Sequence, residues 1–159
     1  MHICIIYGSN SGSTRAVAEL MSQYLIRDKH RVTIHSADKI SPDDIGQANM
    51  TLIGSCSWDH FEGTKRLEGQ LQQHWIELKK KVGSRTYPQH NFAIFGVGDS
   101  TYTHFCGAAD QLEDLVKKWQ GKQIGPTLRL DSYFFEQEAR DREIRDWLKR
   151  LFSKSVLAK

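Results

Sequence analysis

The sequence predicts an α/β fold, an open and doubly wound parallel sheet with helices on both faces. Three observations support this prediction. Apolar runs and helical stripes alternate from one end of the 159 residues to the other. Three of the runs are almost continuously apolar, which is typical of parallel strands that are covered on both faces. A hydrophobic content of 39% and a charged content of 26% fit one soluble domain over residues 1–159.

Five strands are predicted along the chain. Each is a short run of mainly apolar, often β-branched residues, and the segments between them carry glycine, proline and polar residues. The second run alternates between apolar and polar residues, which indicates an edge of the sheet. The predicted strands are residues 3–7, 32–35, 50–53, 92–97 and approximately 124–130.

Four helices are predicted from apolar residues that recur at helical spacing, and their tryptophans are expected in the core. The segment 36–47 contains Pro42 and paired acids, and it is expected to be a loop or a poorly formed crossover. The predicted stripes are Val17, Leu20, Met21, Tyr24 and Leu25; Leu67, Leu71, Trp75, Leu78 and Val82; Leu112, Leu115, Val116 and Trp119; and Ile144, Trp147, Leu148, Leu151 and Phe152.

Composition and spacing argue against several classes of site. No apolar run approaches membrane-spanning length and no basic leader precedes the first strand, so a cytoplasmic protein with no membrane partner is expected. The cysteines Cys4, Cys56 and Cys106 are far apart, which indicates a reducing compartment and no metal site. A formal net charge of +3 fits an ordinary surface that leans basic, and no nucleic-acid partner is expected from it.

The segment after the first strand has the composition of an anion-binding loop, and a helical stripe begins directly after it. In such loops the N–H groups, the hydroxyls and the positive end of the helix dipole converge on one phosphate. No lysine follows the second glycine, which excludes a Walker A loop, and the glycine spacing does not fit a dinucleotide fingerprint. The sequence therefore predicts a phosphate held by neutral donors, without a metal. The loop consists of Gly8, Ser9, Asn10, Ser11, Gly12, Ser13 and Thr14.

Two further loops, 54–63 and 98–105, are expected beside this one, because ligands of doubly wound sheets bind at the carboxyl ends of the strands. Trp58 and Tyr102 lie in these loops, away from any helical stripe, and could enclose a flat ring between them. Asp99 could accept a hydrogen bond from a ring N–H.

These three loops resemble the flavodoxin family, and the resemblance runs along nearly the whole chain. The resemblance lies first in the phosphate loop and then in the pattern Gly54-x-x-Ser57-Trp58. The most specific part is the segment Phe95-Gly96-Val97-Gly98-Asp99-Ser100-x-Tyr102-x-x-Phe105-Cys106-Gly107-Ala108. With no long insertion near the fifth strand, the chain is similar to the short-chain type. The resemblance implies a five-stranded sheet of order 2-1-3-4-5.

The resemblance also implies the function. The chain would be a monomeric, FMN-dependent carrier of low potential that moves one or two electrons between a reductase and a terminal oxidoreductase, with no catalytic residue and no metal. Residues 9–14 would bind the phosphate, Trp58 and Tyr102 would stack on the isoalloxazine, and Asp99 would face its pyrimidine edge. The other implied cofactor-binding residues are Ser55, Ser57, Asp59, Val97, Gly98, His104, Phe105 and Cys106.

Three departures from the family pattern stand out. Serines replace threonines in the phosphate loop, which keeps the hydroxyls. Asp59 follows Trp58 where many short-chain members have glycine. The backbone there flips on flavin reduction in the family and favours positive φ, so weaker stabilisation of the one-electron-reduced flavin is expected. The chain is basic where flavodoxins are typically acidic, so full reduction is expected to be easier.

Two alternatives stay open at this point. One is an FMN-containing enzyme, such as a flavin reductase or an activator of a metallo-cofactor enzyme, although no nicotinamide loop is evident. The other is a phosphoacceptor receiver of the same topology, which would need acidic residues where this chain has Gly8, Ser9 and Asn10.

Beside the expected flavin, Cys56 and Cys106 are interpreted as wall residues. His60 and His104 are interpreted as rim residues.

Overall fold

The computed structural model describes residues 1–9, 12–98 and 106–153, with the backbone alone at 58–62, 66, 68 and 69. Strands and helices alternate through these residues, and none of the helices among them is long and apolar enough to cross a lipid bilayer. The elements are β1 (His2–Gly8), α1 (Ser13–Arg27), β2 (Arg31–Ser36), α2 (Pro42–Gln47), β3 (Met50–Cys56), β4 (Trp58–Glu62), β5 (Lys65–Gln70), α3 (Gln73–Val82), β6 (Asn91–Gly98), α4 (Gly107–Lys118), β7 (Lys122–Gln123), β8 (Leu128–Asp131) and α5 (Gln137–Leu151).

The main sheet is parallel throughout and has the order β2-β1-β3-β6, with β7 and β8 both paired to the outer side of β6. Counted as five strands, with β7 and β8 forming the fifth, this is the predicted order 2-1-3-4-5. The alternating segment 32–35 lies in β2, which is an edge strand as predicted. The prediction of a doubly wound parallel sheet is therefore confirmed.

Two hydrophobic clusters cover the two faces of the sheet. Alternate residues of β1 point to opposite sides, so that Ile3 and Ile5 enter one cluster while Cys4 and Ile6 enter the other. Helices α1 and α5 contribute to the first cluster, and α2, α3 and α4 contribute to the second. This arrangement explains why the central strands are apolar on both faces.

A β-hairpin replaces the loop expected over 54–63. Strand β3 continues to Cys56, and β4 and β5 form a separate antiparallel pair. A two-residue turn with Gly63 at a φ of 62° closes the hairpin, and glycine adopts this conformation at little cost. The pairing register shifts between Trp58 and His60, which places Asp59 at an irregularity of the strand. The predicted helical stripe that began at Leu67 is wrong in its first part, since α3 starts only at Gln73.

Two other segments differ from the prediction. The segment 36–47 contains a short helix, α2, rather than a loop, with Pro42 in its first turn and Ile45 buried. Proline is favoured at that position because its missing N–H would have no helical partner there. The fifth strand is split into β7 and β8, which both pair with β6 and are separated by residues 124–127. Within this gap the N–H of Ile124 still donates to the carbonyl oxygen of Phe92 in β6 (2.7 Å).

Candidate functional site

The carboxyl ends of β1, β3 and β6 meet at one edge of the sheet. In the register of the strands, Gly8 lies opposite Ser55, and Ser55 lies opposite Gly96. The carboxyl ends of β1 and β6 therefore lie on the two sides of the end of β3, at the same edge of the sheet. Six predicted site residues lie outside the described residues. They are Asn10, Ser11, Asp99, Tyr102, His104 and Phe105.

The described part of the phosphate loop is shaped by a left-handed glycine. Gly12 has a φ of 89°, and it is the residue directly before α1. Its N–H donates a hydrogen bond of 3.0 Å to the Ser9 hydroxyl, and its carbonyl oxygen accepts one of 2.9 Å from the N–H of Ala16. A residue with a side chain would be strained at this φ. Gly12 and Ser9 therefore close a tight loop directly before the helix.

The first turn of α1 combines features that favour an anion. Ser13 and Thr14 are buried there, and no acidic residue occupies this turn. No side chain among the described residues caps the helix, and the positive end of its dipole lies at this turn. The Thr14 Oγ1 atom is buried and has no hydrogen-bond partner within the described part of the chain. A buried hydroxyl without a partner costs about 1–3 kcal/mol, which a bound phosphate oxygen would offset.

A second unpartnered polar group lies on the other side of Gly8. Gln72 is buried at the start of α3, and its Nε2 has no partner among the described residues. A Cβ on Gly8 would lie 3.1 Å from the Cβ of Gln72, so the two residues are in close contact. The sequence analysis did not identify Gln72, because a lone glutamine carries no motif. Only its burial beside the loop distinguishes it.

The serine hydroxyls at the end of β3 form hydrogen bonds with other parts of the protein. The Ser55 hydroxyl donates to the carbonyl oxygen of Cys56 (2.8 Å) and accepts from the N–H of Gln72 (3.3 Å). The Ser57 oxygen accepts from the N–H of Ala108 (2.9 Å) in the first turn of α4. These two predicted site residues thus join the end of β3 to α3 and α4. The side chains of Trp58 and Asp59, which follow them, lie outside the description.

The wall formed by the end of β6 and the start of α4 is apolar and fixed. Val97 is buried in the core, so only its backbone can face a ligand at this edge. Cys106 directly precedes α4 and has a φ of 53°, and burial raises the pKa of its thiol to about 12. Arg129 holds this turn by donating to the Cys106 carbonyl oxygen (3.1 Å) and to Asp110 (2.6 Å). Cys106 is thus a neutral wall residue rather than a reactive thiol.

A polar cavity of about 400 Å³ adjoins the phosphate loop on the side of β2. Arg15 lies at its border, but its charge is partly offset because its side chain pairs with Glu19 (3.0 Å). No cluster of metal-binding side chains occurs among the described residues. The cavity is lined by Tyr7, Ser9, Gly12, Arg15, Ser36, Asp38, Lys39 and His74.

Comparisons with known proteins agree with this geometry. A family model described as flavodoxin matches residues 5–147. A flavodoxin of Maridesulfovibrio salexigens is 30% identical over 128 residues, which cover 80% of this chain and 84% of that protein. The crystal structure of oxidised flavodoxin 2 from Bacillus cereus superposes with a TM-score of 0.81 at 20% identity, covering 95% of this chain and 97% of that one.

A second solved structure, Fusobacterium nucleatum flavodoxin bound to flavin mononucleotide, has a TM-score of 0.75 at 18% identity and covers 93% of this chain and 95% of its own. At these identities the solved structures establish the fold, and the family follows from the extent of the match over residues 5–147. The chain belongs to the flavodoxin family.

Proposed function

We propose that this protein binds FMN at the carboxyl edge of its sheet and carries electrons between redox proteins. The observation that carries the proposal is the buried hydroxyl of Thr14 at the start of α1, which has no partner among the described residues and lies in a turn without acidic residues. A phosphate monoester supplies the acceptor oxygens that this turn lacks. Membership of the flavodoxin family supports the same cofactor.

In this proposal, separate groups of residues bind the phosphate and form the wall beside the ring. Ser9, Gly12, Ser13 and Thr14 surround the phosphate, together with Asn10 and Ser11, which complete the loop. Their hydroxyls and N–H groups hold it by hydrogen bonds from neutral donors, since the loop contains no lysine. The backbone of Val97 and Gly98 and the neutral thiol of Cys106 form one wall.

The other predicted residues complete the ring site in this proposal. Trp58 and Tyr102 stack on the two faces of the ring, and Asp99 accepts from its pyrimidine edge. Asp59 and the segment of His104 and Phe105 border it, while Ser55 and Ser57 hold the neighbouring backbone. Bound FMN supplies the redox chemistry, because its ring system accepts and returns electrons.

We further propose that the chain works as a carrier and not as an enzyme. It would act in the cytoplasm as a monomer of one domain, residues 1–159, between a reductase and a terminal oxidoreductase. The Arg129 network supports a static wall, because its guanidinium is held by Asp110 and Glu113.

A titration with FMN tests whether the protein binds this cofactor, and an assay of the reduced holoprotein tests whether it carries electrons. The purified apoprotein is expected to quench the fluorescence of FMN with a stoichiometry of one. The holoprotein, once reduced with dithionite, is expected to reduce an added one-electron acceptor and to leave NADPH unoxidised on its own. Unchanged FMN fluorescence would refute the cofactor. Steady NADPH oxidation by the isolated protein would favour a reductase instead.

A further inference from the structure

Two adjacent phenylalanines stand exposed in the turn between β8 and α5. Phe135 is 87% exposed and Phe134 is 53% exposed. Burying a phenylalanine side chain is worth about 1.5–3 kcal/mol, so this turn forgoes a considerable stabilisation. Among the described residues, the other large exposed hydrophobic side chains are each isolated in the sequence, at Met1, Ile26, Ile34 and Ile76. Isolated residues of this kind are ordinary, whereas an adjacent pair of aromatic residues is not.

Hydrogen bonds and packing fix the position of this turn. Ser132 has a φ of 50°, and its carbonyl oxygen accepts from the N–H groups of Phe135 (3.0 Å) and Glu136 (3.3 Å). Tyr133 is buried in the core, and its ring meets that of Phe134 at a centroid distance of 5.6 Å. The two phenyl groups are therefore presented by an anchored backbone, which lowers the entropic cost of binding a partner.

The turn is attached directly to the candidate cofactor site. The N–H of Ser132 donates a 2.8 Å hydrogen bond to the carbonyl oxygen of Gly98, the last residue of β6. Gly98 also lies opposite Asp131 in the pairing of β6 with β8. The loop 99–105, which carries Asp99 and Tyr102 of the proposed ring site, begins at the next residue. The turn that carries Phe134 and Phe135 is therefore joined to the carboxyl end of β6, where the candidate cofactor site begins.

The charge of the surrounding residues and the small area of the two phenyl groups indicate which kind of partner binds them. Residues 131–138 contain the carboxylates of Asp131, Glu136 and Glu138 and no lysine or arginine, although the whole chain carries +3; of the three, Glu136 pairs with Arg140 (2.9 Å). A stable dimer buries about 800 Å² per subunit, far more than two phenyl groups provide, whereas transient redox complexes are among the smallest specific interfaces. These features favour a transient partner with a cationic rim over a second copy of this chain.

We propose that Phe134 and Phe135 form the docking contact for a redox protein that has an apolar depression, rimmed by basic residues, beside its own cofactor. The proposal rests on the proposed function, since it requires an electron carrier. In each transfer one electron leaves the reduced carrier and reduces the partner's acceptor by one electron. The phenyl groups take no part in that step and only hold the partner's acceptor near the carboxyl edge of the sheet.

The test compares two acceptors for the reduced holoprotein in a stopped-flow instrument. Ferric cytochrome c, a basic protein with an exposed haem edge, needs a docking surface, and ferricyanide does not. In the variant F134S/F135S the second-order rate constant for cytochrome c is expected to fall by about tenfold or more, as for the loss of interface anchor residues. The rate with ferricyanide, the affinity for FMN and the reduction potentials are expected to stay as in the wild type.

Two further variants serve as controls. I26S/I34S removes two exposed apolar side chains elsewhere, one of them in the last turn of α1 at the opposite end of the sheet, and should leave both rates unchanged. F134L/F135L keeps apolar volume in the turn and should retain most of the cytochrome c rate.

Other outcomes would overturn the proposal. Equal rates for F134S/F135S and the wild type with cytochrome c would do so, as would an equal fall with both acceptors. A wild-type dimer in sedimentation that F134S/F135S converts to a monomer, without a change in the cytochrome c rate, would assign the pair to self-association. Failure of the wild type to bind FMN would instead refute the proposed function, and it is detected before any variant is compared.

Discussion

The indole Nε1 of Trp75 donates a 3.0 Å hydrogen bond to the carbonyl oxygen of Gly54. This bond joins the first turn of α3 to β3, two residues before the end of that strand. The indole is fully buried and occupies the space where a side chain on Gly8 would lie. Trp75 therefore ties the ends of β1 and β3 together immediately below the phosphate loop, and it is part of the core rather than of the ligand site.

Replacing Gly8 by alanine is expected to destabilise the protein by about 1–3 kcal/mol. The added Cβ would lie 2.7 Å from Cδ1 and 2.9 Å from Nε1 of Trp75, which is closer than packed atoms allow. The free energy of unfolding from urea titration measures the effect. Gly46→Ala is the matched control, because its Cβ would meet Tyr87 at an ordinary 3.6 Å within helix α2. Equal stabilities of the two variants would contradict the packing argument.

Replacing Thr14 by valine is expected to separate phosphate binding from folding. The change removes a buried hydroxyl that has no partner in the described part of the chain, so the apoprotein should be as stable as the wild type or more so. The affinity for FMN should fall by about tenfold to a hundredfold, because a hydrogen bond to a charged oxygen is worth about 1.5–3 kcal/mol. Fluorescence titration measures both ligands, and riboflavin, which lacks the phosphate, should bind both proteins equally. Thr14→Ser keeps the hydroxyl and should keep most of the FMN affinity.

A thiol titration of the native apoprotein at pH 8 is expected to detect one reactive cysteine. Burial raises the pKa of Cys4 to about 11 and that of Cys106 to about 12, so both remain protonated and covered. Cys56 is only partly buried and should react with Ellman's reagent. All three should react after denaturation, and the native Cys56→Ser variant should give none. Rapid reaction of Cys106 in the native state would show that the wall beside the site is open.

Acid is expected to destabilise the protein partly through His90. Burial lowers the pKa of this histidine from its ordinary value of 6.5, and its ring lies 2.9 Å from the hydroxyl of Thr51. As the pH falls through 6.5, the unfolded chain takes up the proton before the folded chain does, so the free energy of unfolding declines. In His90→Gln the decline between pH 7 and pH 5 should be smaller. Identical slopes in urea titrations of the two proteins would exclude His90 as a cause.

The sequence predicts the parallel sheet well because each central strand is buried on both faces and therefore carries a continuous apolar run. It does not predict the hairpin of β4 and β5. The residues of that hairpin mix charged and apolar side chains, and Leu67 falls by chance at helical spacing from Leu71 and Trp75. The pairing of β4 with β5 is set by the turn at Gly63, and strands this short carry too few residues to show an alternating pattern in the sequence.

The loop between β1 and α1 could be predicted as a candidate anion site because glycines and hydroxyls must stand close together in the chain to surround one anion. The contribution of Gln72 could not, since it reaches the loop from α3, more than 60 positions further along the chain. The sequence also does not show that Ser55 and Ser57 are hydrogen-bonded inside the protein. In the sequence, a serine that binds a ligand cannot be told from one that is hydrogen-bonded within the protein. Only the folded positions of Gln72 and Ala108 show that their N–H groups donate to Ser55 and Ser57.

The split of the fifth strand affects how this protein behaves at high concentration. A long exposed edge strand is a template on which another chain can add a strand, and it promotes aggregation. Here β7 has two residues and β8 has four, and between them Gly125 takes a φ of 68° while the carbonyl oxygen of Pro126 accepts from the indole of Trp147 (2.8 Å). Neither piece offers a continuous row of unpaired backbone groups. The interruption therefore protects this edge of the sheet from edge-to-edge polymerisation.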